Sequence, residues 1–297
     1  MGGKHGYVKS GSGARDVESG FSRIRASRLG RTVMASIVAL AVTATLAAQG
    51  QPPAAGRGAA PPQAPAGGQG RGRGPQAPPT PQASAAIDLT GTWVSIVNED
   101  WRWRMVTPPK GDYASVPLNA EARKVADSWD PSKDGLCDAY GAAGLMRIPT
   151  RLNITWENPT TLKIDTDAGQ QTRRLIFDAT QKPSGAPTLQ GHSIAEWERP
   201  GGGRGGRGGA PSPGGSLKVV TTHMRGGWLR KNGVPYSANA VLTEHFDRFA
   251  APSGDEWLVV TSVVSDPMYL TADFITSTHF KKEPNNSKFA PAPCRAS

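Results

Sequence analysis

Cysteine is scarce in this chain of 297 residues, which contains only Cys137 and Cys294. Two thiols are too few for a zinc site built from four cysteines or for a framework of several disulfides. Each cysteine has Gly or Pro close by in the sequence, as in turns. An even pair in an oxidising compartment indicates one disulfide, and a catalytic or metal-binding thiol is the alternative.

The chain also lacks an apolar run of the roughly 20 residues that a membrane-spanning helix needs. Its main apolar run, residues 33–48, carries no charge and follows four arginines that lie between residues 23 and 31. About 16 residues is the length of a signal-peptide apolar region, and small residues end it. We therefore predict a signal peptide region at 1–48, with no stable membrane span beyond it and export to the periplasm or the extracellular space. An uncleaved anchor is the alternative.

Acidic residues are almost absent from the first 83 positions, where only Asp16 and Glu18 accompany ten lysines and arginines. The rest of the chain has 24 basic and 22 acidic residues, although the whole chain has a net charge of +10. The excess of positive charge therefore belongs to the N-terminal part. We expect no specific nucleic-acid partner and assign the arginines of the Gly-rich tracts a solvating role, with RNA or acidic polymers as alternative partners.

Aromatic and branched apolar residues are missing from residues 49–86, which consist mainly of Pro, Gly, Ala and Gln. Such a composition cannot offset the entropy of ordering the backbone, so this segment is predicted to be a disordered linker. Residues 87–297 are long enough for one good core and form a single predicted domain. A run of Gly, Arg, Pro, Ser and Ala at 200–215 is predicted to be a disordered insertion within that domain.

The remaining pattern is a series of short segments with alternating apolar and polar residues, separated by turn sequences such as Asn232-Gly233. It predicts about ten antiparallel strands in a meander, at 87–95, 101–106, 151–157, 161–166, 170–177, 190–198, 216–222, 240–249, 256–266 and 272–281. One surface helix is predicted at 117–129, with Asn119 as its N-cap. The Gly91-x-Trp93 pattern in the first strand resembles lipocalin-like barrels, so we predict an all-β barrel, with a sandwich as the alternative.

Residues 190–198 and 217–222 flank the insertion and are predicted to pair as a hairpin. Gly191-His192-Ser193 in its first arm resembles the nucleophile elbow of hydrolases, but that motif needs a helix after the serine, and here the strand pattern continues. Alternation places Ser193 and Trp197 on the core side and His192 on the other side. His192 therefore remains only an outside candidate for catalysis.

The same alternation points Glu244 inward between Leu242 and Phe246, and it makes Arg173 the best partner for this carboxylate. A buried carboxylate must be paired or protonated. The pair is predicted either to anchor a polar ligand or to be a structural ion pair that holds the strand register.

Two further sets of residues have both a functional and a structural interpretation. Trp103, in the predicted strand 101–106, is a candidate stacking residue for a ligand, and a core tryptophan is the alternative. The histidines at 192, 223, 245 and 279 lack metal-ligand spacing, and Asp165 and Asp167 are typical of turn caps. We therefore predict no metal site and no cofactor.

Much of the chain from residue 87 resembles an uncharacterised family of exported bacterial all-β proteins. The resemblance rests on the segments 88–93, 99–104, 117–123, 130–131, 172–174, 191–198, 217–222, 242–248 and 264–269, with Cys137 and Met146. In that family the segment ending at Trp197-Glu198 runs directly into a short turn, which the 200–215 insertion replaces here. The resemblance implies no particular reaction and no catalytic residues.

Three hypotheses for function follow from the sequence. In the first, an exported barrel binds a small, partly apolar ligand, with Arg173, Glu244 and Trp103 in contact with it. The second is a cofactor-free lyase, isomerase or hydrolase that uses Glu244 or His192 as acid and base. The third is an envelope structural or interaction protein. Composition and pattern indicate no oligomeric state.

Overall fold

A computed structural model describes residues 77–133, 135, 137–199 and 214–295, which all belong to a compact unit that spans residues 71–297. The predicted signal peptide region, most of the predicted linker and most of the predicted insertion lie outside the described residues.

The described chain is mainly β-structure, with three short helices. The strands are β1 (Gly91–Ile96), β2 (Arg151–Asn158), β3 (Thr161–Thr166), β4 (Ala168–Gly169), β5 (Thr172–Ile176), β6 (His192–Glu198), β7 (Ser216–Thr222), β8 (Gly227–Arg230), β9 (Val234–Tyr236), β10 (Val241–Ala250), β11 (Glu256–Ser265), β12 (Phe274–Lys282) and β13 (Ala292–Pro293). The helices are α1 (Trp101–Arg104), α2 (Ala120–Ser128) and α3 (Ala142–Leu145), with 3-10 turns at Pro131–Lys133 and Asp138–Tyr140.

Nine of these strands close into a barrel in the order β1, β12, β11, β10, β7, β6, β5, β3, β2, and β2 pairs with β1. The prediction of an all-β barrel with one substantial helix is therefore confirmed. Two small sheets lie outside the ring: β8 pairs with β9 as a hairpin, and β13 pairs in parallel with β4. The predicted turn at Asn232-Gly233 connects β8 to β9.

One pairing departs from the predicted antiparallel meander, because β5 and β6 run parallel. Antiparallel neighbours alternate in direction, so a closed ring with an odd number of strands must contain at least one parallel pair. The chain between Ile176 and His192 makes the required crossover. The hairpin predicted on either side of the insertion is present, since β6 and β7 pair antiparallel from His192↔Thr222 to Glu198↔Ser216.

The strand predicted at 101–106 is wrong, because Trp101–Arg104 forms the helix α1. Four residues of Trp-Arg alternation fit a strand and one helical turn equally well, and tertiary contacts decide between the two. Asp100 adopts a left-handed conformation with φ of 49°, and the turn that follows directs Arg104 into the protein while Trp101 stays exposed. The helix predicted around residues 117–129 is confirmed as α2, and the Asn119 side chain caps it by accepting a hydrogen bond from the Ala122 N–H.

Two large apolar clusters are stacked along the barrel. The barrel core contains Trp93, Leu175, Phe246 and Phe280 among its members, and Trp93 Nε1 donates to the Leu89 carbonyl at 2.9 Å. The second cluster joins α2, α3 and β9 to the barrel residues Leu242, Val264 and Phe274, which pair across β10, β11 and β12. We call α1, α2, α3 and the β8–β9 hairpin, which lie outside the ring, the cap.

Contacts at both ends of the described chain tie it to the barrel. The Trp197 indole donates to the Pro81 carbonyl at 2.9 Å, and the Gln82 N–H donates to the Pro159 carbonyl at 3.1 Å. Barrel contacts therefore begin before the predicted domain start at residue 87. At the other end, Cys137 and Cys294 form the predicted disulfide, which is compatible with an oxidising compartment. Within the part of the chain that the structure describes, no helix has the length and apolar character to cross a membrane.

Candidate functional site

The predicted partners Arg173 and Glu244 form an ion pair inside the barrel. Arg173 Nη1 and Nη2 donate to the two Glu244 carboxylate oxygens at 3.0 and 2.6 Å, and neither side chain is exposed to solvent. Arg173 Nη2 also donates to the Thr221 hydroxyl at 3.2 Å. A bidentate pair with further hydrogen bonds is the geometry in which a buried ion pair recovers its desolvation cost.

The position of this ion pair follows from strand parity. On β10, Glu244 lies between Leu242, which belongs to the cap cluster, and Phe246, which belongs to the barrel core. The pair thus forms a polar layer between two apolar clusters. Neither Arg173 nor Glu244 contributes to the walls of four cavities that other described residues line.

His192 lies on the outer side of β6, as its parity predicts, and its Nε2 contacts the Gln181 carbonyl at 3.2 Å. Ser193 points inward and its hydroxyl lies 2.8 Å from that of Thr221. His192 therefore lies on the outside of the barrel wall, whereas Ser193 and Glu244 point into the barrel interior. A catalytic role for His192 or Glu244 stays a prediction.

Asp165 and Asp167 bind protein groups on either side of a turn. Asp165 accepts a hydrogen bond from the Thr172 hydroxyl, and Asp167 accepts from the Thr150 hydroxyl and the Arg151 N–H. Among the described residues, no group of three or more His, Cys, Asp or Glu side chains is placed to hold a metal ion.

The site that we select lies in the cap, in a cavity of about 360 Å³. Its lining residues share one feature, which is that none belongs to the nine barrel strands. They are residues 103–107, 139, 140, 144, 147–149, 168, 169, 229–231, 292, 293 and 295. We call this cavity the arginine pocket because Arg104, Arg147 and Arg230 contribute to its walls. The volume lies within the range of small-molecule sites.

The three arginines are buried to an unusual degree for charged side chains. Arg104 is 8% exposed, Arg147 6% and Arg230 4%. Each comes from a different element, at the end of α1, after α3 and at the end of β8. Charged residues are almost never buried this completely without a partner, so the partners of each guanidinium decide what the pocket does.

Two of the three arginines have carboxylate partners. Arg104 pairs with Glu99, and it also donates to the Arg147 carbonyl at 2.8 Å and the Ser95 hydroxyl at 3.1 Å. Arg147 Nη2 donates to Asp100 at 3.0 Å, while its Nη1 is buried and has no hydrogen-bond partner among the described residues.

Arg230 has no carboxylate partner among the described residues. Its Nη1 donates to the Ala114 carbonyl at 2.7 Å, and its guanidinium carbon lies 4.8 Å from the centre of the Trp103 ring. Its Nε and Nη2 are both buried and, within the described chain, unpartnered. Unpaired donors of this kind each cost about 1–3 kcal/mol or more, which a ligand acceptor would recover.

The pKa values of the three guanidinium groups reflect this crowding. Burial, with a contribution from the nearby Arg147 charge, lowers the pKa of both Arg104 and Arg230 to about 10. Burial also lowers the pKa of Arg147, and Asp100 opposes that effect. Because a guanidinium group stays protonated in proteins, these three buried side chains make the pocket cationic.

Apolar and aromatic groups complete the walls. Met105 and Val106 line the pocket and are 59% and 65% exposed, which leaves apolar surface at its edge. Tyr140 packs against Gly169, whose φ of 79° and close approach to the ring exclude a larger side chain. Trp103 lines this pocket, whereas the other predicted site residues, Arg173, Glu244 and His192, do not. The Trp103 indole N–H donates to Asp112 at 3.2 Å.

The C-terminal segment forms one wall of the arginine pocket. Ala292, Pro293 and Arg295 line it, and the disulfide of Cys294 fixes the segment to the chain before α3. The parallel pairing of β13 with β4 adds the hydrogen bond from the Ala292 N–H to the Asp167 carbonyl, at 2.8 Å.

Among the residues that line the arginine pocket, the sequence pattern singles out Trp103 and none of the three arginines, and ligand binding by Trp103 stays a prediction. Arg147 had a usable signal, because it interrupts the apolar stretch Leu145-Met146-Arg147-Ile148, where a charge needs a partner or a function. Arg104 alternates with the tryptophans at 101 and 103, and Arg230 precedes a turn, and neither context indicates a buried guanidinium.

Comparison with known proteins found no matching family model, no matching curated protein and no matching solved structure.

Proposed function

We propose that this protein binds a small, partly apolar, anionic molecule in the arginine pocket and is exported to meet it. The observation that carries the proposal is the set of buried guanidinium N–H groups on Arg147 and Arg230 that no described residue accepts. Buried donors without acceptors are rare in proteins, and an anionic ligand supplies the missing acceptors.

The walls support an apolar body for the ligand. Met105, Val106, Ile148 and Leu229 contribute aliphatic surface next to the arginines, and Trp103 and Tyr140 contribute rings. Sites for small molecules typically combine a largely apolar lining with a few convergent polar groups. The barrel serves as the scaffold that holds the cap, and export remains part of the proposal, with the disulfide as its support.

Fluorescence titration with 8-anilinonaphthalene-1-sulfonate, an apolar anion, tests this proposal. We expect saturable binding of one equivalent to the folded wild-type protein and loss of that binding in an Arg147→Met/Arg230→Met double variant. Arg174→Met is the matched control, because Arg174 pairs with Glu157 away from the arginine pocket. Urea unfolding of each variant verifies that it is folded.

A Glu244→Gln variant separates the arginine pocket from the barrel interior. Binding that survives Glu244→Gln and disappears with the two pocket arginines supports the proposal. Binding that depends on Glu244 and not on the pocket arginines would place the ligand beside the Arg173–Glu244 pair and overturn it. No saturable binding to the wild-type protein would overturn it as well.

A further inference from the structure

The unpartnered donors of the arginine pocket have a geometry that specifies the ligand more closely, and this step rests on the function proposed above. In a planar guanidinium, Nε and Nη2 lie on one edge and direct two parallel N–H bonds to the same side. In Arg230 these are the two groups without a described partner, whereas Nη1 is held by the Ala114 carbonyl. An unpartnered guanidinium edge matches the two oxygens of one planar carboxylate. Both nitrogens are covered in the ligand-free protein, so a carboxylate reaches them when neighbouring side chains move.

The plane of this edge is fixed before any ligand binds. The Trp103 ring stacks on the Arg230 guanidinium at 4.8 Å, and the Trp103 indole is itself held by Asp112. The hydrogen bond to Ala114 sets the rotation of the group within its plane. Trp103 and Ala114 therefore act as positioning groups for the Arg230 edge, and little side-chain entropy remains to be lost on binding.

The charges around the pocket limit the charge of the ligand. Glu99 pairs with Arg104 and Asp100 pairs with Arg147, so Arg230 is the one of these three buried arginines without a salt bridge within the described chain. The charges of Asp100 and Asp112 only oppose the lowering of its pKa by burial.

A single carboxylate balances the charge of Arg230 at the buried end of the pocket. Lys231 and Arg295 also line the pocket, but Lys231 Nζ donates to the Tyr140 hydroxyl at 3.3 Å and Arg295 is exposed. A phosphate monoester on the Arg230 edge would therefore still place a charge of about −1.5 to −2 next to Glu99 and Asp100.

We infer that the ligand of the arginine pocket is an organic monocarboxylate whose carboxylate lies on the Nε–Nη2 edge of Arg230, with Nη1 of Arg147 as an additional donor and the apolar body against Met105, Val106 and Ile148.

Isothermal titration calorimetry with two matched probe series tests this inference on the full chain. The probes are octanoate and 2-naphthoate, their neutral amides, and the phosphate monoesters of octanol and 2-naphthol. We expect both carboxylates to bind at least tenfold more tightly than their amides, which form no charge-assisted hydrogen bonds. We expect the same margin over the phosphate monoesters, whose additional negative charge would lie next to Glu99 and Asp100.

Arg230→Lys tests the edge itself. Lysine keeps one positive charge but has no pair of parallel donors, so carboxylate affinity should fall about tenfold or more. Arg174→Lys, on the outer surface, should leave it unchanged. Arg230→Met, which removes the charge in a side chain of similar length, provides a second variant if the lysine variant does not fold.

The outcomes separate this inference from the proposed function. Preferential binding of the phosphate monoesters would overturn the carboxylate assignment while the arginine pocket remains an anion site. Equal binding of carboxylates and amides would overturn it because the pocket then does not select charge. An unchanged carboxylate affinity in Arg230→Lys would overturn the role of the edge. Binding of the sulfonate probe used above, without binding of any carboxylate, would contradict this inference and leave the proposed function standing.

Discussion

Arg173 and Arg230 show how two buried arginines in one protein differ in energetic role. Arg173 is fully buried in the barrel and bonds a carboxylate and a hydroxyl, while its Nε has no partner among the described residues. Arg230 is 4% exposed and lines a cavity, and its described partners are a carbonyl and an aromatic ring. Removing a charge that has a partner leaves the other charge unpaired, while removing an unpaired charge relieves a desolvation cost. The two residues should therefore respond to the same substitution in opposite directions.

We predict that Arg230→Met stabilises the ligand-free protein. The expected gain in the free energy of unfolding is about 1–2 kcal/mol, at the lower end of the range for replacing buried charges by apolar groups, because the stacking on Trp103 is only partly retained. The carbonyl of Ala114 is in an exposed residue and can accept a hydrogen bond from water instead. Urea denaturation monitored by tryptophan fluorescence provides the measurement.

Arg173→Met is the matched comparison, and it should lower the free energy of unfolding by about 3–5 kcal/mol because Glu244 is left buried and unpaired. A loss of stability of similar size in both variants would contradict the distinction between the two arginines. It would show that Arg230 is a structural residue, compensated by contacts in the cap.

The C-terminal segment illustrates how a short element can complete a site. β13 is only two residues long, Ala292–Pro293, and it lies against β4 at the pocket wall. Few backbone hydrogen bonds hold so short a strand, so the disulfide that follows it fixes the position of the wall. The stability of the barrel and the integrity of the arginine pocket thus share one covalent link.

We predict that a Cys137→Ser/Cys294→Ser variant loses both stability and ligand affinity. The bridge joins residues 157 positions apart. Closing a loop of that length is worth up to about 5 kcal/mol in the chain-entropy model. Carboxylate affinity should fall because the 292–295 wall is released. Urea denaturation and calorimetric titration with 2-naphthoate measure the two effects. Affinity that stays at the wild-type value in the folded variant would show that the wall forms without the disulfide.

The strands of the barrel were predictable from sequence because alternation and turn residues are local signals. β10 and β11 form from long segments in which apolar and polar residues alternate. This alternation alone predicts that Glu244 points inward, where the structure pairs it with Arg173. The parallel contact of β5 with β6 was not predictable, since it follows from the closure of the whole ring. The helix α1 was missed because four residues contain too little pattern to define a period.

The arginine pocket was largely invisible to the same reasoning. Its walls come from α1, the chain after α3, β8 and the C-terminal segment, which are short or irregular and far apart in sequence. Arg104 directly follows Trp103 and Arg230 lies two residues after Trp228, and that context does not reveal that the guanidinium groups are desolvated. Tertiary contacts bring these residues together, since Arg104 donates to the Ser95 hydroxyl, Arg147 lies over the Phe274 ring and Arg230 lies over the Trp103 ring.

At the scale of the described fold, a closed β-barrel supports a cap in which the candidate site is built. The barrel core and the cap cluster are separated by the buried layer of Arg173, Glu244 and Thr221. The buried ion pair links β5 to β10, which β6 and β7 separate in the ring, and so ties together strands that do not pair directly. The residues of the candidate site thus lie on segments that connect the barrel strands, and the barrel provides the rigid scaffold that positions them, as in many binding proteins.

The segment before β1 belongs to the same folded unit, and its removal provides the last prediction. A fragment that starts at residue 87 should unfold with a free energy about 1–3 kcal/mol lower than one that starts at residue 77, since it loses several hydrogen bonds, each worth about 0.5–1.5 kcal/mol. These bonds join the Trp197 indole to Pro81, Gln82 to Pro159, and Arg199 to the Ser84 carbonyl.

Both fragments should bind 2-naphthoate equally, because the residues that line the arginine pocket start at Trp103. Urea denaturation and calorimetry on the two fragments measure both quantities. Equal stability would show that residues 77–86 do not contribute to the fold, and weaker binding by the shorter fragment would show that barrel contacts far from the cap control the pocket.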